Sequence, residues 1–331
     1  MSTIKLAFVD FWPDFRPQES LFVELLQEEF EVMITDATSA DYVFFSLWGD
    51  AHWYVPDRCV KIFYTGEHLC PDFNSCDYAM AFDWLDYGDR YFRLPHYLLY
   101  GKMCPLMERK HLSIDHKQLK IEKKDFCSFT VSNNKRCNEI REQMFWALSN
   151  YKKVDSGGRW NNNVGGPVAD KFEFDKTHKF SICFENISHR GYTTEKIVQA
   201  FAARTIPIYW GDPWIGNVFN TESFINVADY DNDIEEVVKA VKRIDENDEL
   251  YLKMLSEPAL VNIKYSYEEQ KLALRAFLYN IVSQPLENAY RRNRITFYVT
   301  ARKRMIEGYY KSVAPALPRR VINKVIGFFK K

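Results

Sequence analysis

Short apolar runs alternate with helix-periodic segments along the first part of the chain. Five runs rich in β-branched and aromatic residues predict strands, and apolar residues at helical spacing over 21–30 predict an amphipathic helix between the first two. Strands that alternate with helices predict a largely parallel sheet covered by helices. The predicted strands are 4–11, 31–36, 41–47, 60–65 and 77–82.

A second α/β series begins after residue 124. The stretch 102–124 is rich in charges and contains Pro105, and we interpret it as a linker or an exposed helix. Two successive α/β units of about 125 and 160 residues predict two Rossmann-like domains that face each other across a cleft. We assign them to residues 1–120 and 121–285, followed by a tail at 286–331. In the second series the predicted strands are 125–133, 179–185, 205–210 and 224–229, and the predicted helices are 138–150, 194–204 and 234–244.

Composition indicates a folded chain with an uneven charge distribution. Of the 331 residues, 47% are hydrophobic, which is enough to bury a large core and argues against intrinsic disorder. The 44 Lys and Arg nearly balance the 45 Asp and Glu, so the net charge is −1. Residues 291–331, however, hold twelve basic side chains and one acid, Glu307, for a net charge of +11. The molecule is therefore an acidic body with a basic tail.

The basic tail ends in the segment PRRVINKVIGFFKK, which begins at Pro318. On a helix, Arg320, Lys324 and Lys331 share one face, and apolar and aromatic residues cover the rest. Such a segment is typical of peripheral binding to an anionic membrane, and we favour that interpretation over a nucleic-acid-binding arm. The alternative is a helix that packs back on the body with its cations in solvent.

The seven cysteines follow no metal or redox pattern. Without a C-x-x-C pair, neither a zinc ribbon nor a thioredoxin-like motif is supported, and single buried thiols in a reducing compartment are the simplest interpretation. The apolar run at the N-terminus is too short for a signal peptide, and no run of about 18 apolar residues exists to span a membrane. We therefore expect a cytoplasmic protein, peripheral on the inner face of the cytoplasmic membrane.

The stronger candidate for a ligand site is the βαβ unit 181–213, because ligands of open parallel sheets bind beyond the carboxyl ends of the strands. Its first strand ends at Glu185, and a polar loop with Gly191 leads to a helix that begins near Thr194, a good N-cap. The free N–H groups of such a helix form an anion site. Lys196 in the first turn opposes the helix dipole, which a bound phosphate would offset. The alternative is a solvated lysine on a surface helix.

The loop 155–168 before this strand also suits a phosphorylated ligand. It holds four glycines, three asparagines and one cation, Arg159. Glycine pairs let the backbone approach a ligand closely, and the arginine fork suits a diphosphate, although an ordinary flexible loop has the same composition. Neither G-x-G-x-x-G nor G-x-x-x-x-G-K-[ST] occurs in the sequence, which argues against a nicotinamide fingerprint and a P-loop.

A weaker candidate lies in the first domain, where Glu67 follows Gly66 directly after an apolar strand. Partial desolvation in the cleft would raise the pKa of Glu67 and make it a usable general base. The alternative is a turn glutamate hydrogen-bonded to backbone. Among the scattered histidines, only His68 and His189 lie near the candidate sites.

The acidic run Asp229-Tyr-Asp231-Asn-Asp233 invites a metal interpretation, which we reject. It lacks the glycine and the distal glutamate of a calcium loop. Asp231 or Asp233 capping a helix that begins near Ile234 explains the run more simply. We therefore predict no metal ligands in the candidate site.

The segment ICFENISHRGYTTEKIVQAFAARTIPIYWGDP closely resembles the signature of the GDP-fucose-dependent α-1,3-fucosyltransferases, with their phenylalanine-glutamate-asparagine and tyrosine-x-threonine-glutamate-lysine motifs. The segment 62–98 resembles the acceptor-domain signature of the bacterial members, and DFCSFTVSNN and SGGRWNNNVGG resemble the start and the phosphate loop of their donor domain. The resemblance covers roughly residues 4–280. One departure is Thr193, where the family usually has Val or Ile.

The resemblance implies a GT-B enzyme whose C-terminal Rossmann-like domain holds the donor. It implies inverting transfer of L-fucose from GDP-β-L-fucose to GlcNAc of N-acetyllactosamine-type glycans, as in Lewis-type antigen synthesis. Fixed cations can replace a metal on the departing diphosphate, so no obligatory metal or other cofactor is expected. Two alternatives stay open. One is the same fold with another nucleotide sugar or another linkage such as α-1,4, and the other is a sugar-nucleotide-binding protein without turnover.

The resemblance also implies roles for six residues. In this sequence Glu67 matches the catalytic base, Arg159 and Lys196 match the cations on the donor diphosphate, Asn186 and Tyr192 match contacts near the diphosphate and fucose, and Glu195 matches a donor-binding carboxylate.

Overall fold

Two parallel β-sheets organise the protein in its computed structural model, which describes residues 2–111, 119, 122–132, 137–292 and 296–313. The first sheet has six strands in the order β2-β1-β3-β4-β5-β6, and every neighbouring pair is parallel. Its strands are β1 (Thr3–Val9), β2 (Glu31–Ile34), β3 (Tyr42–Phe45), β4 (Val60–Tyr64), β5 (Tyr78–Ala81) and β6 (Tyr91–Arg93). The predicted parallel α/β architecture is thereby confirmed for the first half of the chain.

The centre of the first sheet is apolar on both faces because helices and loops cover it on both sides. All residues of β3, β4 and β5 are buried. Helix α1 (Leu21–Gln27) packs against it through Phe22, Val23, Leu25 and Leu26, and its N-cap Ser20 accepts a hydrogen bond from Val23 N. Strand β6 has only three residues, too few for the alternation pattern to predict it.

The second sheet has five parallel strands in the order β11-β10-β9-β7-β8. The strand order reverses between β7 and β9, and in open α/β sheets this switch point is where ligands bind. The strands are β7 (Asp125–Phe129), β8 (Val154–Ser156), β9 (His178–Phe184), β10 (Ile206–Trp210) and β11 (Ile225–Asn226).

The helices of the second half combine predicted and unpredicted elements. The predicted ones at 138–150, 194–204 and 234–244 are confirmed within a few residues. The predicted strand 224–229 is shorter, because Asn226 Nδ2 donates to the Asp229 carboxylate and the chain turns after Asn226. The helices between β7 and residue 256 are α3 (Ile140–Ser149), α4 (Lys171–Lys176), α5 (Glu195–Ala202), α6 (Ile234–Asp245) and α7 (Asp248–Ser256).

The segment predicted as a linker or exposed helix is partly buried. Helix α2 (Cys104–Glu108) buries Cys104 and Met107. Farther along, Lys110 is 1% exposed and donates through Nζ to the carbonyl of Leu255 at 3.1 Å. The prediction of a linker or an exposed helix is wrong for this part, because Cys104 and Met107 are buried and the aliphatic stem of Lys110 contributes to the interface with the second half.

Helix α8 (Tyr267–Val282) lies within the region assigned from sequence to the second domain, yet it packs against the first sheet's helix α1. Lys271 Nζ lies 2.7 Å from Glu24 Oε1, and the hydroxyl of Tyr279 donates to the carbonyl of Leu25. The chain thus returns to the first half before the tail.

The start of the predicted tail is anchored to the body. After α9 (Leu286–Ala289), the backbone N–H groups of Arg291 and Arg292 both donate to Asp77, and the Arg292 guanidinium forms a buried ion pair with the same carboxylate. In α10 (Thr296–Val313), the hydroxyl of Tyr310 donates to Asp50. This first part of the tail therefore packs on the body.

The segment that carries the membrane prediction, 318–331, lies outside the described residues. None of the described helices is both long and apolar enough to cross a lipid bilayer.

Candidate functional site

The candidate site is built on the loop that connects β9 to α5 at the switch point of the second sheet. All residues of β9 except Lys179 are buried, and the strand is followed at its carboxyl end by Glu185 and Asn186. Helix α5 begins at Glu195 and is held on the sheet by its apolar face, which includes Ile197, Val198 and Phe201. The sequence prediction placed this loop correctly.

Glu185 is the buried centre of the loop. Its carboxylate is 1% exposed and accepts hydrogen bonds from the backbone N–H of Thr194 at 2.8 Å and from the Thr194 hydroxyl at 2.7 Å. The predicted cap residue Thr194 does occupy the N-cap position, but its hydroxyl donates to Glu185 and caps no N–H group. A charged acceptor at a helix N-terminus is favourable for the helix dipole. The sequence marks Glu185 only as a strand end and carries no local signal for this role.

Lys196 is paired with Glu185 across the first turn of α5. Nζ of Lys196 lies 2.9 Å from Glu185 Oε2 and 3.6 Å from Glu195 Oε1. Burial lowers the pKa of Lys196, but the two carboxylates outweigh burial and raise its pKa above the ordinary value. The unfavourable position predicted for this lysine is thus offset by Glu185, and the side chain stays charged.

Glu195 is ionised in the same environment. Burial raises the pKa of its carboxyl, but the attraction of Lys196 and His96 lowers it by more. The pKa of Glu195 is therefore below its ordinary value. Its side chain is 23% exposed and is open to a ligand.

Asp212, which follows β10, fixes the other side of the loop. Its carboxylate accepts hydrogen bonds from the backbone N–H of Gly191 at 2.8 Å and from the hydroxyl of Thr193 at 3.1 Å. It also accepts the N–H of Trp214 at 2.8 Å. Thr193, the residue that departs from the family pattern, therefore adds one hydrogen bond that Val or Ile cannot make.

Gly191 and Tyr192 bring the loop against the first sheet. Gly191 has φ of +85°, and a Cβ there would lie 2.6 Å from the carbonyl oxygen of Phe82. Tyr192 is 3% exposed and packs edge-to-face on Phe82 at 5.1 Å between ring centroids. Burial, together with Glu185, raises the pKa of Tyr192, so its hydroxyl is a neutral donor.

Asn186 is exposed, but a buried arginine holds its side-chain amide in place. The buried Arg141 guanidinium donates to Asn186 Oδ1 at 2.8 Å and to the carbonyl of Phe184 at 2.7 Å. Burial lowers the pKa of Arg141. The sequence gave no signal for Arg141, because it lies on α3, far from Asn186 along the chain.

Arg159 lies on an ordered loop after β8. Asn162 accepts the N–H of Gly166 at 2.8 Å and donates to the carbonyl of Gly158 at 2.7 Å, and Asn163 accepts the N–H of Ser156 at 2.8 Å. Arg159 itself is exposed, and no acidic side chain in the described part of the chain pairs with it. The asparagines thus fix the backbone of the loop. The Arg159 side chain is left accessible to a ligand at the same edge of the sheet as the N-terminus of α5.

Glu67 lies on a fixed turn after β4. Its backbone N–H donates to the buried Thr65 hydroxyl at 3.0 Å, and its carbonyl accepts the N–H of Leu69 at 2.7 Å. The carboxylate is exposed, so burial does not supply the partial desolvation predicted from the sequence. The alternative, a turn glutamate hydrogen-bonded to backbone, is found in part: the carbonyl of Glu67 accepts from the backbone N–H of Leu69, but the turn's hydrogen bonds do not use the carboxylate.

His96 stands between Glu67 and α5. Its ring lies against Gly66, where a Cβ would approach Nδ1 to 2.3 Å, and Nδ1 lies 3.1 Å from the Tyr64 hydroxyl. Burial lowers the pKa of His96, with a smaller opposing contribution from Glu195 and a further one from Glu67. His96 is therefore a third histidine near the site, which the sequence analysis missed.

His68 and His189, which the sequence placed near the two candidate sites, meet across the cleft. Their ring centroids are 4.4 Å apart, and His68 also contacts Tyr192 edge-to-face at 5.5 Å. The loops of Glu67 and of Tyr192 therefore form one site. The acidic run at 229–233 is separate from it, and Asp233 caps α6 through the N–H groups of Glu235 and Glu236, as predicted.

Comparisons with known proteins identify the family. Residues 6–100 match the α-(1,3)-fucosyltransferase FucT N-terminal domain, and residues 120–279 match the C-terminal region of glycosyltransferase family 10 (fucosyltransferase). The chain is 32% identical over 310 residues to an α-(1,3)-fucosyltransferase FucT of Helicobacter pylori, covering 83% of this chain and 64% of that protein. The chain belongs to the α-1,3-fucosyltransferase family.

A more distant relative and two solved structures also carry fucosyltransferase names. Human 4-galactosyl-N-acetylglucosaminide 3-α-L-fucosyltransferase 9 is 32% identical over 143 residues, covering 37% of this chain and 40% of that protein. The chain thus spans less than two-thirds of the length of these curated relatives. A crystal structure of an α1,3-fucosyltransferase superposes with a TM-score of 0.74 at 28% identity, covering 89% of this chain and 93% of that one. A crystal structure of an α1,3-fucosyltransferase with GDP-fucose gives 0.70 at 28% identity, covering 88% and 94%.

Proposed function

We propose that the protein is an inverting α-1,3-fucosyltransferase that moves L-fucose from GDP-β-L-fucose to a GlcNAc hydroxyl of an N-acetyllactosamine-type glycan. The observation that carries the proposal is the charged N-terminus of α5, where Lys196 is fixed by buried Glu185, facing the Glu67 turn across the cleft. Membership of the α-1,3-fucosyltransferase family supports the donor and the linkage.

The donor diphosphate binds between Lys196, the N–H groups of α5 and Arg159. Lys196 is charged at any physiological pH because its pKa is raised by Glu185 and Glu195 despite burial. Arg159 comes from the loop after β8, at the same carboxyl edge of the sheet. Fixed cations and dipoles of this kind stabilise the charge that develops on the leaving group, and removing one such group commonly costs about 3–4 kcal/mol of barrier.

The sugar is held by the same loop. Ionised Glu195 accepts hydrogen bonds from fucose hydroxyls, and the neutral hydroxyl of Tyr192 donates a hydrogen bond to GDP-fucose. Asn186 contacts the region between diphosphate and sugar, in a position fixed by Arg141. This arrangement orients the anomeric carbon toward the first sheet.

Glu67 acts as the general base. The acceptor oxygen attacks the anomeric carbon on the face opposite the diphosphate, and its proton passes to the Glu67 carboxylate. The bond between the anomeric carbon and the diphosphate oxygen breaks, its electron pair leaves with GDP, and the configuration inverts from β to α. An acceptor bound over the exposed turn displaces water from Glu67 and makes it a stronger base.

The reaction needs no obligatory metal, because Lys196, Arg159 and the helix N-terminus neutralise the departing diphosphate. We expect turnover to continue in excess EDTA at close to its rate in untreated buffer. Loss of turnover that Mg²⁺ or Mn²⁺ restores would contradict this part of the proposal.

The acceptor is proposed from a relative, human 4-galactosyl-N-acetylglucosaminide 3-α-L-fucosyltransferase 9, which by its name acts on a 4-galactosyl-N-acetylglucosaminide. The test is incubation with GDP-fucose and a panel of type-1 and type-2 N-acetyllactosamine acceptors, with GDP release and product linkage as readouts. We expect GDP release and an α-1,3-linked product with the type-2 acceptor. GDP-fucose binding without GDP release would indicate a binding protein without turnover. An α-1,4-linked product would show that the protein has the alternative linkage specificity.

The tail is proposed to bind an anionic membrane surface. The segment 318–331 carries the proposal, because on a helix Arg320, Lys324 and Lys331 would share one face, with apolar and aromatic residues over the rest. Truncation after Val313 should reduce co-sedimentation with vesicles containing phosphatidylserine while keeping turnover of soluble acceptors. A full-length chain that does not co-sediment with these vesicles would contradict the proposal.

A further inference from the structure

Beside the cleft, Cys70, Asp83 and His189 converge on one point. Cys70 Sγ lies 3.3 Å from Asp83 Oδ1, and His189 Nε2 lies 3.2 Å from the same oxygen. One ligand atom from each of the three residues lies within 4.8 Å of the others. A thiol, an imidazole and a carboxylate are the three side-chain types that bind zinc in proteins.

The second carboxylate oxygen of Asp83 gives an independent sign of a missing partner. The Asp83 side chain is 8% exposed, and its Oδ2 is buried without a hydrogen-bond partner among the described residues. Burying a carboxylate oxygen unpaired is costly, so such oxygens usually have a partner such as a cation or ordered water.

The spacing of the three groups fits tetrahedral coordination. Zinc binds sulfur at about 2.3 Å and nitrogen or oxygen at about 2.0–2.2 Å, so ligand atoms of a tetrahedral site lie roughly 3–4 Å apart. The two separations given above fall in that range. His68 packs edge-to-face on the His189 ring and restricts its rotation.

We propose that Cys70, Asp83 and His189 form a zinc-binding site that joins the two halves of the molecule. Zn²⁺ accepts lone pairs from the Cys70 thiolate, Asp83 Oδ1 and His189 Nε2, with water in the fourth position, and this water donates a hydrogen bond to Asp83 Oδ2. The Cys70 thiol releases its proton to solvent when the Zn–S bond forms. The thiolate and the carboxylate then balance the two charges of the ion.

The ligands come from both sides of the cleft. Cys70 and Asp83 follow β4 and β5 of the first sheet, whereas His189 lies in the loop that also carries Tyr192. Bound zinc therefore adds a link between this loop and the first sheet, besides the packing of Gly191 on Phe82, and turnover is not expected to depend on it. The site is separate from the proposed chemistry, since none of its three ligands contacts the donor or the acceptor in the proposed mechanism. It does not depend on the proposed function.

The test measures metal binding by the full chain directly. After removal of metals with a chelator, wild-type protein is titrated with Zn²⁺ by calorimetry, and Co²⁺ is added separately as a spectroscopic probe. We expect one Zn²⁺ per chain, no comparable binding of Mg²⁺, and a thiolate-to-cobalt charge-transfer band. Zn²⁺ should also raise the melting temperature, because it binds the folded state.

Two single variants and a matched control decide the outcome. Cys70→Ala should abolish the cobalt band, and both Cys70→Ala and His189→Ala should weaken Zn²⁺ binding by more than about tenfold, since even residues behind the ligands contribute about 10- to 100-fold. Cys137→Ala removes the other cysteine that is not buried and should keep wild-type binding. The proposal is overturned if wild-type protein binds no Zn²⁺, or if the cobalt band survives in Cys70→Ala.

Discussion

The carboxylate of Glu185 lies 2.9 Å from Nζ of Lys196, and the pair closes the first turn of α5 from inside the protein. Glu185 is buried, whereas Lys196 is one-fifth exposed toward the cleft. The buried acid therefore fixes a charged amine at the one edge of the sheet where a diphosphate is proposed to bind.

Glu185→Gln should lower the free energy of unfolding by about 3 kcal/mol, the lower end of the range for breaking a buried ion pair, because Lys196 keeps some access to water. Urea denaturation followed by circular dichroism measures the change. Glu235→Gln, an exposed glutamate on α6, is the matched control and should stay close to wild type. Equal stability of the two variants would show that Glu185 has no structural role.

Lys196→Met should weaken GDP binding by about 10- to 100-fold, as expected for the loss of a charge-assisted hydrogen bond worth about 1.5–3 kcal/mol. The double variant Glu185→Gln/Lys196→Met leaves no unpaired carboxylate, so it should recover stability but not GDP affinity. Calorimetric titration measures the GDP affinities and urea denaturation measures the stabilities, and Lys239→Ala on the exposed face of α6 serves as a control. Unchanged GDP affinity in Lys196→Met would remove this residue from the donor site.

Gly191→Ala should reduce turnover by about 10- to 100-fold, because the loop must shift and small displacements of positioning groups cost that much. The added Cβ would meet the carbonyl oxygen of Phe82 at a φ of +85°. Gly308→Ala is the control, since a Cβ there meets no atom within 4 Å and alanine favours the helix. Steady-state rates at saturating GDP-fucose compare the two, and similar rates would contradict the packing argument.

Lys110→Met should stabilise the protein most at neutral pH and less as the pH rises. Burial lowers the pKa of Lys110 to about 7, while an unfolded lysine titrates near 10.4. Between these values the unfolded state binds more protons, so the contribution of Lys110 to wild-type stability increases with pH by up to about 1.4 kcal/mol per unit. Denaturation of both proteins between about pH 7 and 9 measures the difference. A difference that stays constant with pH would show that Lys110 does not lose its proton on folding.

Much of the site was predictable because its residues are close together in the sequence. The segment from Glu185 to Lys196 spans one strand end, one loop and one helix turn. The apolar periodicity of the strand and the helix, together with the N-cap residue Thr194, was therefore enough to predict where the loop lies. The turn of Glu67 was found because it directly follows a predicted strand, whereas the loop of Arg159 was found from its glycines, its asparagines and its single cation.

What the sequence could not predict depends on contacts between distant segments. Arg141 reaches Asn186, Asp212 holds Gly191, and α8 returns to α1, and none of these pairs shares a local pattern. The burial of Lys110 was also hidden, because charged stretches normally predict exposure. The exposure of Glu67 depends on how the two sheets face each other, which local sequence does not specify.

The most direct test of the proposed mechanism is Glu67→Ala, measured by GDP binding and by transfer from GDP-fucose to a type-2 N-acetyllactosamine acceptor. Asp86→Ala, another exposed acid in a loop of the first half, is the matched control. We expect Glu67→Ala to bind GDP like wild type and to lose transfer by at least about 100-fold, the lower range for a lost general base. Transfer at a near-normal rate in Glu67→Ala would contradict the assignment of the base.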